Sequence, residues 1–310
     1  MKIVFLDANT LGGENIDAFK EFGEVVVYEK SAENEVLERL KDANVAVINK
    51  IKMSREVMQN CPNLKLILIS ATGMNTVDLD AAKELGVVVK NVAGYSTKSV
   101  AQHTYALLLA LMNETLYYNE YTKNNEWSKS ELFCDYSRRI HTIEGKTWGI
   151  IGLGAIGRDV AKIAQMFGAN VIYTSLSGKN NNPDFKQTSL EDLLKTSDII
   201  SIHAPLNDKS YKLIGEKELA MMKDDAYLLN LGRGGIIDEA ALAKAIDNKN
   251  IRVGLDVVEF EPMRADNPLL KVSKKQNLII TPHIAWTACE CVTRLVGMMV
   301  NNLRDFLNGK

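Results

Sequence analysis

Short runs of β-branched and aliphatic residues alternate along the chain with longer stretches whose apolar positions recur at helical spacing. Continuous apolar runs bounded by turn residues suit strands buried on both faces. Their alternation with helices is the pattern of parallel α/β layers. In the first hundred residues the runs predict strands at Lys2–Leu6, Glu24–Tyr28, Val45–Asn49, Leu66–Ser70 and Val87–Asn91. A second series follows at Trp148–Ile151, Val171–Thr174, Ile199–His203, Tyr227–Leu231, Arg252–Asp256 and Leu278–Ile280. Two series predict two doubly wound parallel-sheet domains.

The join between them is legible. Ser99-Val-Ala-Gln102 has the form of a capping box, and Val100, Leu107, Leu108 and Leu111 mark one helical face after it. That helix is expected from about Ser99 to about Asn119, and Trp286 to Leu307 reads as a second one. Residues 1–98 and 287–310 then form one domain, and residues 99–286 form a domain inserted into it, with the two helices as hinges. Residues 120–146 are polar and aromatic without periodicity. Trp127, Phe133 and Tyr136 there predict either a local cluster or an arm that packs on a second subunit.

The most specific local pattern spans residues 147–174. A strand runs into Gly152, Gly154 and Gly157 in G-x-G-x-x-G spacing, followed by an apolar-periodic helix and a second strand. The first glycine permits a sharp turn and the second lets backbone approach a pyrophosphate. The third lets the helix pack closely on the sheet, with its N-terminal N–H groups facing the phosphates. A glycine turn that merely packs would not need all three in this context.

Composition narrows the partners. A formal net charge of −2 gives no electrostatic pull toward nucleic acid or anionic membrane. No run approaches the roughly 18 apolar residues of a membrane span, and Met1-Lys-Ile-Val-Phe-Leu-Asp7 reads as a strand rather than a signal peptide. Cys61, Cys134, Cys289 and Cys291 form no C-x-x-C pair, so reduced thiols in a cytoplasmic protein are expected, and no metal site.

With its glycine motif in the middle, the chain resembles the D-isomer-specific 2-hydroxyacid dehydrogenases over nearly its whole length. The resemblance rests on Ser70-Ala-Thr-Gly-Met-Asn-Thr-Val-Asp78, Ser99-Val-Ala-Gln-His-Thr-Tyr-Ala-Leu, Gly152-Leu-Gly-Ala-Ile-Gly and Ser201-Ile-His-Ala-Pro-Leu206. It continues through Asn230-Leu-Gly-Arg-Gly-Gly-Ile-Ile-Asp238, Gly254-Leu-Asp-Val-Val-Glu-Phe-Glu-Pro262 and Thr281-Pro-His-Ile-Ala-Trp286. Val-Ala-Gln-His-Thr and His-Ile-Ala-Trp look most like the glycerate dehydrogenases, or hydroxypyruvate reductases. The resemblance implies a Rossmann dinucleotide-binding domain inserted into a flavodoxin-like substrate domain, a homodimer, and closure over an NAD or NADP cofactor.

Reducing a 2-keto acid requires a cation for the carboxylate, an acid for the developing alkoxide, and a group that keeps the acid protonated. Arg233 suits the first task, since a guanidinium matches a carboxylate bidentately and follows a strand at its carboxyl end. Gly232 and Gly234 flank it and favour close approach of a ligand. Among four histidines, His103 falls in the linking helix, His141 in the irregular arm, and His203 beside Pro205 where it lines the cofactor cleft. His283 follows the last strand, and its imidazole suits hydroxyl/carbonyl interconversion.

Glu259 and Glu261 compete as its partner. The family's spacing from Asp256 selects Glu261, and a carboxylate against an imidazole fixes its tautomer and favours its charged form. The catalytic set implied is Arg233, Glu261 and His283, with Thr72, Gly73 and Arg233 holding substrate. Implied cofactor contacts are Thr104, Gly152, Gly154, Ala155, Ile156, Gly157, Thr174, Ser175, His203, Ala204, Pro205, Leu231, Gly232, Arg233, Asp256, His283 and Ala285. For Asp256 a purely structural role stands equally open.

One departure bears on cofactor choice. NAD-binding Rossmann units carry an acid about 20 residues past the glycines. Here Thr174 occupies that position, followed by Ser175, Ser177 and Lys179, with no carboxylate before Asp184. Two hydroxyls and a lysine favour a 2′-phosphate and hence NADP, whereas a hydroxyl bonded to the ribose would still serve NAD. Expected substrates are hydroxypyruvate and glyoxylate. Pyruvate and branched 2-keto acids follow, as for D-lactate dehydrogenases and the D-2-hydroxyacid dehydrogenases of branched substrates. A short-chain dehydrogenase would need Tyr-x-x-x-Lys, which is absent. A methyltransferase leaves Arg233, Glu261 and His283 without a task. A non-catalytic dinucleotide-sensing scaffold shares the fold and is separated by turnover.

Overall fold

The computed structural model describes residues 1–178 and 181–309 and divides into two compact units, Met1–Ser96 with Thr287–Lys310, and Thr97–Trp286. In the first unit β1 (Lys2–Phe5), β2 (Glu24–Val27), α1 (Val36–Leu40), β3 (Val45–Ile48), α2 (Arg55–Gln59), β4 (Leu66–Ile69), α3 (Leu79–Glu84) and β5 (Val88–Lys90) follow in turn. All strand pairs are parallel, in the order β2-β1-β3-β4-β5, the flavodoxin-like arrangement. β3 and β4 are buried throughout, as their unbroken apolar runs require. The helix Cys289–Leu307 returns to this unit and buries Leu295, Met299 and Leu303 on one face.

The sheet's order reverses between β1 and β3, where Asp7 follows β1. Its carboxylate accepts N–H bonds from Asn49 at 2.9 Å and Lys50 at 2.7 Å, and so fixes the loop after β3. Burial pushes the Asp7 carboxyl upward against those bonds.

The second unit opens with α4 (Thr97–Met112) and α5 (Thr115–Lys123), then β6 (Thr147–Ile151), α6 (Ala155–Met166), β7 (Asn170–Thr174), β8 (Lys186–Gln187) and α7 (Leu190–Thr196). It continues through β9 (Ile199–Ile202), α8 (Glu216–Met221), β10 (Tyr227–Asn230), α9 (Glu239–Asn248), β11 (Arg252–Leu255) and β12 (Leu278–Ile280). Its parallel sheet runs β12-β11-β10-β9-β6-β7-β8, the Rossmann order extended by one strand. Trp148 lies in the core, its indole N–H donating to Ser201 Oγ at 2.9 Å. The Tyr105 ring of α4 lies 5.2 Å from it at a tilt of 53°, and the Tyr105 hydroxyl donates to Val160 O, which ties α4 to α6.

Several sequence expectations need correction. The single helix from Ser99 to Asn119 is two helices, broken where Glu114 adopts φ 50°. Its carboxylate is 9% exposed and lies 3.7 Å from Arg138 and 3.8 Å from Arg252, distant partners that hold the break. The Ser99 capping box does not form, because α4 starts at Thr97 and the Ser99 hydroxyl donates to Ala285 O at 2.5 Å. The helix expected from Trp286 begins at Cys289. The two-residue strand β8 was not foreseen, being polar and too short for a pattern. Phe133 and Tyr136 are 87% and 82% exposed, and Trp127 and Phe133 line one surface cavity with Tyr118 and Tyr121. The four cysteines are free thiols, and no helix among the described residues is long and apolar enough to cross a membrane.

Candidate active site

The glycine turn follows β6. Gly152 takes φ 94°, and a Cβ on Gly157 would stand 2.3 Å from Gly152 O, so only glycine lets α6 start this close to the strand. Gly154 caps α6 without a side-chain bond, and a Cβ there would meet nothing within 4 Å among the described residues. Ala155 and Ile156 form the first turn, whose N–H groups have no intrahelical partner. Open space over uncapped N–H groups is what a pyrophosphate fits.

A cavity of about 620 Å³ brings together Gly152, Gly154, Ser175, His203, Ala204 and Pro205, with Ser177, Asn207 and Lys209 on its wall. The first six were expected on this wall from the sequence; Asn207 and Lys209 were not. His203 Nε2 lies 3.0 Å from Ser201 Oγ, while its buried Nδ1 has no hydrogen-bond partner among the described residues. Burial pushes the imidazole down to about 3, so His203 is neutral and unsuited to proton transfer near pH 7. Thr174 ends β7, buried, and Ser175 Oγ lies 3.4 Å from Ser177 Oγ. Lys179 lies outside the described residues.

Thr104 departs from the expected role. It is wholly buried and its hydroxyl donates to Val100 O at 2.8 Å, so it offers a cofactor no surface.

Arg233, Glu261 and His283 stand on loops after three neighbouring strands, β10, β11 and β12. After β10 the Asn230 side chain folds the turn, accepting from Gly232 N–H at 3.0 Å and donating to Arg233 O at 2.9 Å. Leu231 and Gly232 are buried in this turn. A Cβ on Gly234 would lie 1.8 Å from Val258 O, so the turn rests directly on the segment leading to Glu261. Arg233 is half-buried; its guanidinium donates to Gly232 O at 2.9 Å and has no ion-pair partner among the described residues.

His283 Nδ1 and Glu261 Oε2 lie 2.7 Å apart, with side chains 25% and 31% exposed. An ionised carboxylate only accepts, so Nδ1 carries a proton and Nε2 is the atom left to give or take one. Glu261, the carboxylate selected by the family's spacing, is thus the one against His283, while Glu259 accepts from the Tyr211 hydroxyl at 3.0 Å. Glu239 steadies the same segment, accepting from Glu259 N–H at 2.6 Å and Asn267 Nδ2 at 2.7 Å.

His283 sits at φ 55°, a left-handed conformation that needs outside support. Asp256 supplies much of it. Its backbone oxygen accepts His283 N–H at 2.8 Å. Its carboxylate, 2% exposed, takes Thr281 OH at 2.7 Å and the N–H groups of Ile284 and Ala285 at 2.9 Å each. The carboxylate is thus occupied in shaping the His283 loop, which sequence spacing could not show. In the first unit Thr72 and Gly73 follow β4 at its carboxyl end, where the Thr72 hydroxyl donates to Val92 O at 3.0 Å.

A Rossmann sheet with an open glycine turn, an unpaired arginine and a carboxylate-backed histidine defines a nicotinamide-dinucleotide oxidoreductase. The model of the D-isomer specific 2-hydroxyacid dehydrogenase NAD-binding domain matches residues 105–285. The chain belongs to that family. It is 37% identical to a hydroxypyruvate reductase of Blautia hydrogenotrophica, over 100% of this chain and 98% of the relative. Identity to a glycerate dehydrogenase of Methylorubrum extorquens is also 37%, over 100% and 97%. Among solved structures, a D-lactate dehydrogenase from Aquifex aeolicus complexed with NAD and lactic acid superposes with TM-score 0.85 at 29% identity, covering 99% of this chain and 96% of that one. An acyclic imino acid reductase in complex with NADPH and D-Arg gives TM-score 0.89 at 30% identity, covering 100% and 98%.

Proposed function

We propose that the protein reduces hydroxypyruvate or glyoxylate to the corresponding D-2-hydroxy acid or glycolate, and that His283 is its proton donor. The 2.7 Å contact between His283 and Glu261 carries this reading. Arg233, without an ion-pair partner among the described residues, holds the substrate carboxylate and polarises the adjacent carbonyl. A reduced nicotinamide bound to this unit supplies the hydride. His283 Nε2 gives its proton to the carbonyl oxygen as charge develops there, and Glu261 stabilises the imidazolium before transfer. In the reverse direction the neutral imidazole is the base. On the first unit, main-chain N–H groups of Thr72 and Gly73 are proposed as further carboxylate ligands. The two 37% identical relatives support the substrate choice. The Aquifex neighbour keeps D-lactate as the second reading, with branched 2-hydroxy acids behind it.

For the cofactor, NADP(H) is preferred over NAD(H) by a small factor, and both are used. Support comes from Thr174 in place of an acid and from Ser175 and Ser177 on the cavity wall. The proposed assembly is a homodimer through residues 120–146, whose exposed Phe133 and Tyr136 suit a second copy, in the cytoplasm. Steady-state kinetics test the residue roles. Arg233→Ala should mainly raise KM and lower kcat/KM, and His283→Ala should mainly lower kcat. Wild-type kinetics in both variants refute the assignment.

A further inference from the structure

We infer that His103, on α4, is a positioning residue for His283 that acts through Thr281 and Asp256. The inference rests on the proposed role of His283. His103 Nε2 lies 2.9 Å from Thr281 Oγ1 and 3.5 Å from Asp256 Oδ1, although 178 residues separate His103 from Thr281. The Thr281 hydroxyl has one proton, directed at Asp256 Oδ1 over 2.7 Å, so its oxygen must accept from His103. His103 Nε2 therefore carries a proton, and the relay runs His103 N–H to Thr281 O–H to the Asp256 carboxylate.

The same hydroxyl has an alternative acceptor, Leu255 O at 3.4 Å. A donor arriving from His103 fills one lone pair and keeps the proton on the Asp256 side. Ser99, one turn earlier on the same face of α4, donates to Ala285 O at 2.5 Å. The helix thus grips the 281–285 loop at both ends, with His283 between the grips. Without His103, the Thr281 hydroxyl turns toward Leu255. Asp256 then loses one of the donors that orient it under the Ile284 and Ala285 N–H groups.

The experiment compares His103→Ala, His103→Gln and Thr281→Val in the full-length protein by kinetics with hydroxypyruvate and by hydrogen exchange of the unliganded protein. His103→Ala should lower kcat about tenfold with KM within about twofold, and His103→Gln, whose amide can donate, should recover most of the loss. Thr281→Val should match His103→Ala without disturbing α4. Exchange at the Ile284 and Ala285 amides should quicken several-fold in both while the rest of the unit keeps its protection. Wild-type kcat and exchange in His103→Ala, or an equal loss in His103→Gln, overturns the inference. In a His283→Ala background His103→Ala should cost no further activity. If His283→Ala itself keeps wild-type kcat, the proton-donor reading fails, and the exchange data alone decide whether His103 holds the loop.

Discussion

Replacing Asp256 by Asn is the most informative single change in the His283 loop. The carboxylate is 2% exposed and accepts three donors, from Thr281, Ile284 and Ala285. An amide keeps the shape but turns one oxygen into a donor. With nitrogen in the Oδ2 place it confronts Ala285 N–H; in the Oδ1 place it confronts Ile284 N–H, and Thr281 must reverse. Either way one charge-assisted bond is lost, about 1.5–3 kcal/mol, and a buried N–H is stranded at about 1–3 kcal/mol. Relief from burying a charge offsets part of this. The net is about 2–4 kcal/mol, which lowers the melting temperature by about 5–10 °C in a unit of this size. Only the part that displaces His283 reaches the transition state, so kcat should fall about tenfold to a hundredfold. Thermal unfolding and steady-state kinetics with hydroxypyruvate measure both. Asp256→Asn with wild-type kcat and melting temperature would show that the loop does not depend on this carboxylate.

Other changes probe separate parts of the structure. Gly157→Ala forces a methyl to within 2.3 Å of Gly152 O and should weaken dinucleotide binding at least about tenfold by calorimetric titration, with the fold retained. Thr174→Asp restores the missing acid and should move the NADH:NADPH ratio of kcat/KM toward NADH by about tenfold or more. Asp238 caps α9 and is held below the usual carboxylate range chiefly by Ala241 N–H, with Lys212 at 3.0 Å adding to it. In Asp198 burial acts upward but is outweighed by Lys223 at 2.8 Å and Thr147 N–H, so its carboxyl is also lowered. Both groups titrate lower in the folded protein than in the unfolded one. Their stabilisation is present above about pH 4 and is lost as pH falls through the folded values. Denaturant unfolding at pH 6 and pH 3 should show Asp238→Ala costing about 1 kcal/mol at the higher pH and less at the lower.

Apart from β8, the strands were legible because each is a mostly apolar run, and their observed ends lie within one residue of the pattern. Period and composition carry no comparable signal for β8, two polar residues paired to β7. The break between α4 and α5 depends on Glu114 meeting Arg138 and Arg252, partners set by tertiary structure. Ser99 shows the same limit, since a hydroxyl at a helix start reads as a cap, yet a loop 186 residues away claims it. At the site, the glycine turn and Arg233 are legible by residue type after strand ends, whereas His283 is singled out by its place in the family motif. Residue type alone leaves Glu259 and Glu261 open and the family's spacing selects Glu261, while nothing local in the sequence sets His103 beside Thr281. Local chemistry is written locally; the partners that orient it are assembled by the fold.

This protein transfers hydride between a nicotinamide dinucleotide and a small 2-keto acid. Absorbance at 340 nm tests it directly, with NADH and NADPH in parallel against hydroxypyruvate, glyoxylate, pyruvate and 2-ketoisocaproate. Oxidation of both cofactors by hydroxypyruvate or glyoxylate, faster with NADPH and giving the D-hydroxy acid from hydroxypyruvate, is the predicted result. A purified protein that binds either dinucleotide but oxidises neither with any of the four acids would contradict it.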